Sequence, residues 1–179
     1  SRLEDPEANC GYTAVGQEGL AYTLGEETPP DLFEAFSFAR EDAGGPEYDA
    51  VRTYFHPNVW PERPAHLRDA FLAYEAEMRG LTSTVLAAME LALDLPAGWL
   101  VERNDRAVIT TRAINYERAP GAPDPEPGQM RLGAHSDYGV LTLLTADEVP
   151  GLEIFRNDRW NPWSIAPGTF VCNIGDMLA

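Results

Sequence analysis

Between Ala65 and Leu95 the apolar positions fall at Leu67, Phe71, Tyr74, Met78, Leu81, Val85, Met89 and Leu93. The steps are threes and fours, so one apolar stripe runs along a helix of period 3.6. The pattern predicts a single long helix over 65–95. Pro64 suits its first turn, and Leu95–Pro96 marks its end, because a residue before proline avoids the helical region. Gly80 is a point at which the helix can bend midway. Beyond Gly98 the texture changes to short β-branched runs: Ala107–Tyr116, Val140–Thr145, Leu152–Phe155, Trp160–Ile165 and Phe170–Ile174. The turn signals "EVPG", "RND", "APG" and "IGD" punctuate them, and the Pro- and Gly-rich "APGAPDPEPGQ" (Ala119–Gln129) reads as a surface loop. Several short strands at this spacing predict a sandwich or barrel. Upstream, residues 1–30 read as irregular. "DLFEAFSFARE" (Asp31–Glu41) fits a short helix or an extended segment equally well. Residues 42–63 read as a structured loop, because Tyr54, Phe55, Val59 and Trp60 call for burial.

Composition narrows the class. Apolar residues make up 44% of 179 residues, enough for one domain with its own core. No apolar run reaches the roughly eighteen residues a membrane helix needs, and "SRLEDPEANCGY" does not read as a secretory signal. The formal net charge is −16. That repels phosphate backbones and anionic lipid surfaces and argues against nucleic-acid or membrane partners. Cys10 and Cys172 are too far apart in sequence for a zinc cluster or a disulfide framework. Cys172, inside the strand-like "TFVCNI", is expected to be a buried, inert thiol. A reducing, cytoplasmic setting fits this usage.

The candidate chemistry sits in "GAHSDYGVLTLL", Gly133–Leu144. Residues two apart on an extended chain point to the same side. His135 and Asp137 would therefore present one imidazole and one carboxylate to one point, as a shared metal ion requires. A nitrogen and an oxygen ligand with open positions suit ferrous iron in a 2-His-1-carboxylate arrangement, whereas a structural zinc site favours cysteines and a closed shell. A His-x-Asp triplet is also common in ordinary polar turns, and spacing alone does not decide between the two. The other histidines, His56 in "FHPN" and His66 at the start of the long helix, read as surface or capping residues.

Context adds a resemblance. The stretch "GAHSDYGVLTLLTADEVPGLEIFRNDRWNPWSIAPGTFVCNIGDMLA", with "NYE" after a strand, "NVWP" at Asn58–Pro61, the long helix and "CGY" near the start, resembles the iron(II)- and 2-oxoglutarate-dependent oxygenases of the isopenicillin N synthase-like superfamily. The likeness covers nearly the whole chain and is most specific in its last third. It implies a mainly β fold, a double-stranded β-helix (jelly roll) with flanking helices that include the one near 65–95. Residues 1–100 would form a helical and loop part and 101–179 the first part of the core of a single oxygenase domain incomplete at both ends. It implies His135 and Asp137 as two iron ligands. Tyr116 would reach a carboxylate of 2-oxoglutarate with its hydroxyl, with Asn115 in the same cofactor-binding segment; as a plain strand residue, Tyr116 would simply pack. Asn173 and Asp176 in "NIGD" would serve the turn's structure, and Tyr138 would either face substrate or cover the strand end.

The same resemblance implies a third ligand, a histidine, and an Arg-x-Ser pair for the cosubstrate on strands beyond Ala179. Two ligands alone imply weak iron affinity. The implied activity is Fe(II)-, 2-oxoglutarate- and O2-dependent hydroxylation or desaturation of a small organic molecule, releasing succinate and CO2. The alternatives are a 2-oxoglutarate-independent oxidase or cyclising synthase of the same superfamily, and a truncated, metal-free, non-catalytic jelly roll.

Overall fold

The computed structural model describes residues 10–25, 27–41 and 57–178. His56, Tyr54 and Phe55 lie outside them, as does most of the expected 42–63 loop. The described elements are mostly strands: β1 (Gly11–Thr13), a 3-10 turn (Ala21–Leu24), β2 (Glu34–Ala39), α1 (Leu67–Ala92), α2 (Val101–Asn104), β3 (Thr110–Asn115), β4 (Leu141–Leu144), β5 (Glu153–Phe155), β6 (Trp160–Pro162) and β7 (Val171–Ile174). They form three antiparallel sheets, in the orders β1-β2-β3, β4-β7 and β5-β6. The chain divides into two compact units, Ser1–Ala134 and His135–Ala179. Among the described residues no helix is long and apolar enough to cross a membrane.

In the first unit β2 is the central strand, with Phe36 opposite Tyr12 on one side and Ala113 on the other. The segment that fitted helix and strand equally is therefore a strand. Its ambiguity has a physical source: Ala35, Ser37, Phe38 and Ala39 are all buried, so the polar–apolar alternation of a half-exposed strand is lost. Phe38 is 1% exposed. It packs edge-on against Phe71 of α1 at 4.7 Å between ring centres and against Trp60 at 5.5 Å, and Phe36 joins the same cluster. Trp60 is thus half-buried as expected, whereas Val59 is exposed. Asn58 of "NVWP" has a distinct part. Its Oδ1 accepts the N–H of Ala39 and its Nδ2 donates to the Ala39 carbonyl, both at 2.7 Å. Cys10 is buried, and burial lifts its thiol above the ordinary pKa although a hydrogen bond with the Ala39 backbone works the other way.

The long helix forms, but three residues shorter than expected at its C-terminal end. Asp94 takes a left-handed conformation (φ 53°), and the chain turns away before Pro96. Pro64 lies outside the helix, which begins at Leu67 with His66 as an exposed N-cap that makes no side-chain capping bond. The inward face is also wider than the apolar stripe. Its fully buried residues are Glu75, Leu86 and Glu90, while Tyr74 and Leu93 are exposed. Glu75 pairs with Arg79 one turn on, at 3.1 Å. Glu90 accepts the backbone N–H groups of Gly98 (2.8 Å), Leu100 (2.7 Å) and Val101 (3.0 Å). It thereby holds the start of α2, a helix of four residues and too short to leave a periodic signal.

In the second unit the four expected strands appear, each trimmed at an end. β4 and β7 pair with Leu141 opposite Ile174 and Thr142 opposite Asn173. Alternation along β7 leaves Val171 and Asn173 half-buried and Cys172 and Ile174 exposed. Cys172 is therefore an exposed free thiol, not the buried one expected; it shares the outward face with the exposed Ile174, while Val171 and Asn173 take the inner one. Tyr138, Phe155, Trp160, Trp163, Ile174 and Met177 are exposed as well.

Candidate metal centre

The His-x-Asp triplet opens the second unit. The Nε2 of His135 lies 3.9 Å from the Oδ1 of Asp137, and the two side chains are 28% and 23% exposed. The two donors stand side by side in a partly sheltered place. With metal–donor bonds of about 2.1 Å, ligands at right angles stand about 3 Å apart, so this pair would close inward from 3.9 Å to share one ion. One imidazole nitrogen and one carboxylate oxygen are a donor set that iron accepts, so the residues present fit the ion. Among the described residues no group of three or more His, Cys, Asp and Glu is arranged to hold a metal.

The triplet is held from β7 and the turn after it. The Nδ2 of Asn173 donates to the Oδ2 of Asp137 at 3.2 Å. The N–H of Asp176 donates to the Asp137 carbonyl at 2.8 Å, and the Ser136 hydroxyl donates to the Oδ2 of Asp176 at 2.8 Å. Gly175 is buried, and its N–H donates to the Val140 carbonyl. A Cβ there would overlap the carbonyl oxygen of Gly139, so only glycine lets the turn close this tightly. Asp176, expected to bond the turn's own backbone, instead turns its carboxylate to the Ser136 hydroxyl. Asn173, expected only to support the turn, instead touches a candidate ligand directly. That contact joins residues 36 positions apart and depends on strand register, which no local motif reveals.

Asn115 and Tyr116 lie in the first unit. Asn115 ends β3; its Nδ2 donates to Glu34 at 2.9 Å and its Oδ1 accepts the N–H of Glu117 at 3.1 Å. This fixes the turn that follows the strand. Glu34 is also the acceptor for the Tyr12 hydroxyl, at 2.5 Å. Tyr116 is 37% exposed, and its ring meets Phe33 edge-on at 6.5 Å. Burial lifts its phenol above the ordinary range; Arg112 pulls it down and Asp31 pushes it up. The hydroxyl therefore stays protonated and able to donate. Sequence reasoning passed over Asp31, which is 1% exposed. Its Oδ2 accepts the N–H of Leu20 at 2.9 Å. A Cβ on Gly133 would lie 2.9 Å from the Ala21 nitrogen and 3.3 Å from the Asp31 Oδ1, which accounts for the glycine in "GAHSD".

Residues 109–179 match the 2OG-Fe(II) oxygenase superfamily. The chain is 32% identical over 152 residues to validamycin A dioxygenase of Streptomyces hygroscopicus subsp. limoneus, covering 83% of this chain and 41% of that protein. It is 32% identical over 173 residues to a homoarginine-6-hydroxylase of Oryza sativa subsp. japonica, covering 94% and 51%. In structure it is similar to a full-length Neurospora crassa protein crystallised with alpha-KG and thymine, with a TM-score of 0.75 and 26% identity over 99% of this chain and 54% of that one. The chain thus spans about half the length of the curated relatives it matches. Its residues 109–179 belong to the 2OG-Fe(II) oxygenase superfamily, whose cofactors are Fe(II), 2-oxoglutarate and O2.

Proposed function

We propose that the protein is a non-haem Fe(II)- and 2-oxoglutarate-dependent oxygenase that hydroxylates or desaturates a small organic molecule, with release of succinate and CO2. The observation that carries this reading is the convergence of His135 Nε2 and Asp137 Oδ1 to 3.9 Å in a segment of this family. His135 and Asp137 would hold the iron, which supplies the centre at which O2 is activated. The remaining ligand, a histidine, and the Arg-x-Ser pair for the cosubstrate would come from jelly-roll strands of the family not represented in these 179 residues. Exposed apolar side chains on the two-stranded sheets, such as Phe155, Trp160 and Ile174, support this, because a two-stranded sheet alone is marginally stable.

The protein's own groups have definable tasks. Tyr116 donates its hydroxyl to a carboxylate of 2-oxoglutarate, and Asn115 fixes the turn that presents it. A single carboxylate ligand leaves a held dication with net positive charge, which favours a dianionic cosubstrate even on a chain of net charge −16. The same overall charge disfavours nucleic acid and anionic membranes as partners. Two free cysteines fit a cytoplasmic location.

The test is anaerobic Fe(II) titration of the full-length protein, followed by succinate release with 2-oxoglutarate and a surrogate substrate. The parent should bind one iron, and His135→Ala and Asp137→Ala should each weaken binding at least about tenfold. Parent-like iron binding by the double variant would refute the ligand assignment. Substrate turnover that needs no 2-oxoglutarate would point to a cosubstrate-independent oxidase.

A further inference from the structure

We propose that Asn173 is a positioning residue for the iron site: its amide restrains one oxygen of Asp137 so that the other is presented to the metal. The inference rests on the assignment of His135 and Asp137 as ligands and goes one step beyond it. An aspartate has two equivalent oxygens and a freely turning carboxylate, so a lone aspartate can bind a metal through one oxygen or both. Here the two oxygens have different surroundings. Oδ2 accepts the Nδ2–H of Asn173 at 3.2 Å, while Oδ1 is the oxygen 3.9 Å from the His135 Nε2. The donor comes from the partner strand, where Asn173 stands opposite Thr142 in the β4–β7 ladder, so its position is set by backbone register.

The backbone beneath the carboxylate is held as well. The Asp176 N–H binds the Asp137 carbonyl, and the Asp176 carboxylate takes the Ser136 hydroxyl between the two ligands. With main chain and one oxygen both held, turning the carboxylate requires breaking the hydrogen bond from Asn173. Amide chemistry suits the task. It donates without adding charge beside a cation site, whereas a lysine would oppose the metal and a second carboxylate would repel Asp137. Partners of this type orient metal ligands and typically alter affinity about 10- to 100-fold when removed.

The experiment uses the full-length protein titrated anaerobically with Co(II), whose visible d–d bands report coordination geometry. Asn173→Ala should bind Co(II) about 10- to 100-fold more weakly than the parent, with altered d–d bands as Asp137 becomes able to engage through both oxygens. Asn173→Leu, which keeps most of the side-chain bulk but removes the donor, should do the same and serves if the alanine variant does not fold. Asn161→Ala is the structural control. Asn161 Nδ2 braces the β5–β6 hairpin through the carbonyls of Ile154, Arg156 and Arg159, so its loss should lower the melting temperature and leave the d–d bands unchanged. Parent-like affinity and bands in either folded Asn173 variant overturn the positioning role, as does an affinity loss no larger than that of Asn161→Ala with unchanged bands. Absence of Co(II) binding by the parent, or parent-like binding by Asp137→Ala, overturns the ligand assignment itself.

Discussion

Glu90 is 3% exposed on the inner face of α1, and among the described residues three backbone N–H groups stand where a cation partner would be expected. The bond from Val101 is the largest influence on its carboxyl. Burial opposes it, but together with Gly98 and Leu100 it holds the pKa below the ordinary 4.5. A folded-state pKa below the unfolded value adds stability that is present above the unfolded pKa and is lost as pH falls through the folded one. Glu90→Gln should therefore lower the melting temperature at neutral pH and flatten its decline on acidification below about pH 4.5; melting curves between about pH 3 and pH 7 check both. Such a residue is hidden from sequence reading, because charged side chains are assigned to the surface by default. Tyr116 is the opposite case, singled out through the family resemblance of "NYE" after a strand. Tyr116→Phe removes only the hydroxyl, and hydrogen bonds to charged groups contribute about 1.5–3 kcal/mol. The variant's affinity for 2-oxoglutarate, measured calorimetrically on the full-length protein, should fall about tenfold or more.

At the scale of elements, the long helix was legible because a 3.6-residue period repeated over 26 residues outweighs any single exception. What the stripe did not reveal was how wide the buried face is, since Glu75 and Glu90 sit on it. β2 was half-legible. Burial on both faces erased its alternation, and only its pairing with β1 and β3 identifies it as the centre of the sheet. The aromatic cluster of Phe36, Phe38, Trp60 and Phe71 joins that strand to the helix. Phe38→Ala should cost about 3–5 kcal/mol, the usual range for removing a fully buried phenylalanine. Denaturant titration of the full-length protein at constant m-value measures it. The Cys172 expectation failed at this scale too: apolar neighbours promised burial, but the pleat turned the thiol outward.

At the scale of the whole molecule, the closeness of His135 and Asp137 was legible because residues two apart on an extended chain point the same way, while their reading as candidate ligands came from the family resemblance. Their support was not legible. Asn173 reaches Asp137 only through the register of β4 and β7, a relation that exists once the sheet has formed. Net charge, readable from the start, makes its own prediction. A chain at −16 repels itself at low ionic strength, and screening is nearly complete beyond about 10 Å at 0.1 M salt. The melting temperature should rise between about 10 mM and 150 mM sodium chloride; a flat response would show that salt weakens attractive pairs such as Arg112–Glu18 and Arg68–Glu41 as much as it relieves the net repulsion.

The double hydrogen bond between Asn58 and Ala39 has a consequence for the protein's behaviour in a crowded solution. Among the described residues β1 covers β2 from Ala35 to Ser37, and past that span Asn58 supplies the partner for the outer backbone groups of Ala39. An open run of N–H and carbonyl groups on a flat apolar strand is a template onto which another chain can zip. The amide of Asn58 offers the donor and acceptor that a neighbouring strand would offer, but it ends in a side chain and cannot propagate. One asparagine thus acts as a stopper at the sheet's margin, satisfying the last backbone groups while giving a stray strand nothing to grow on.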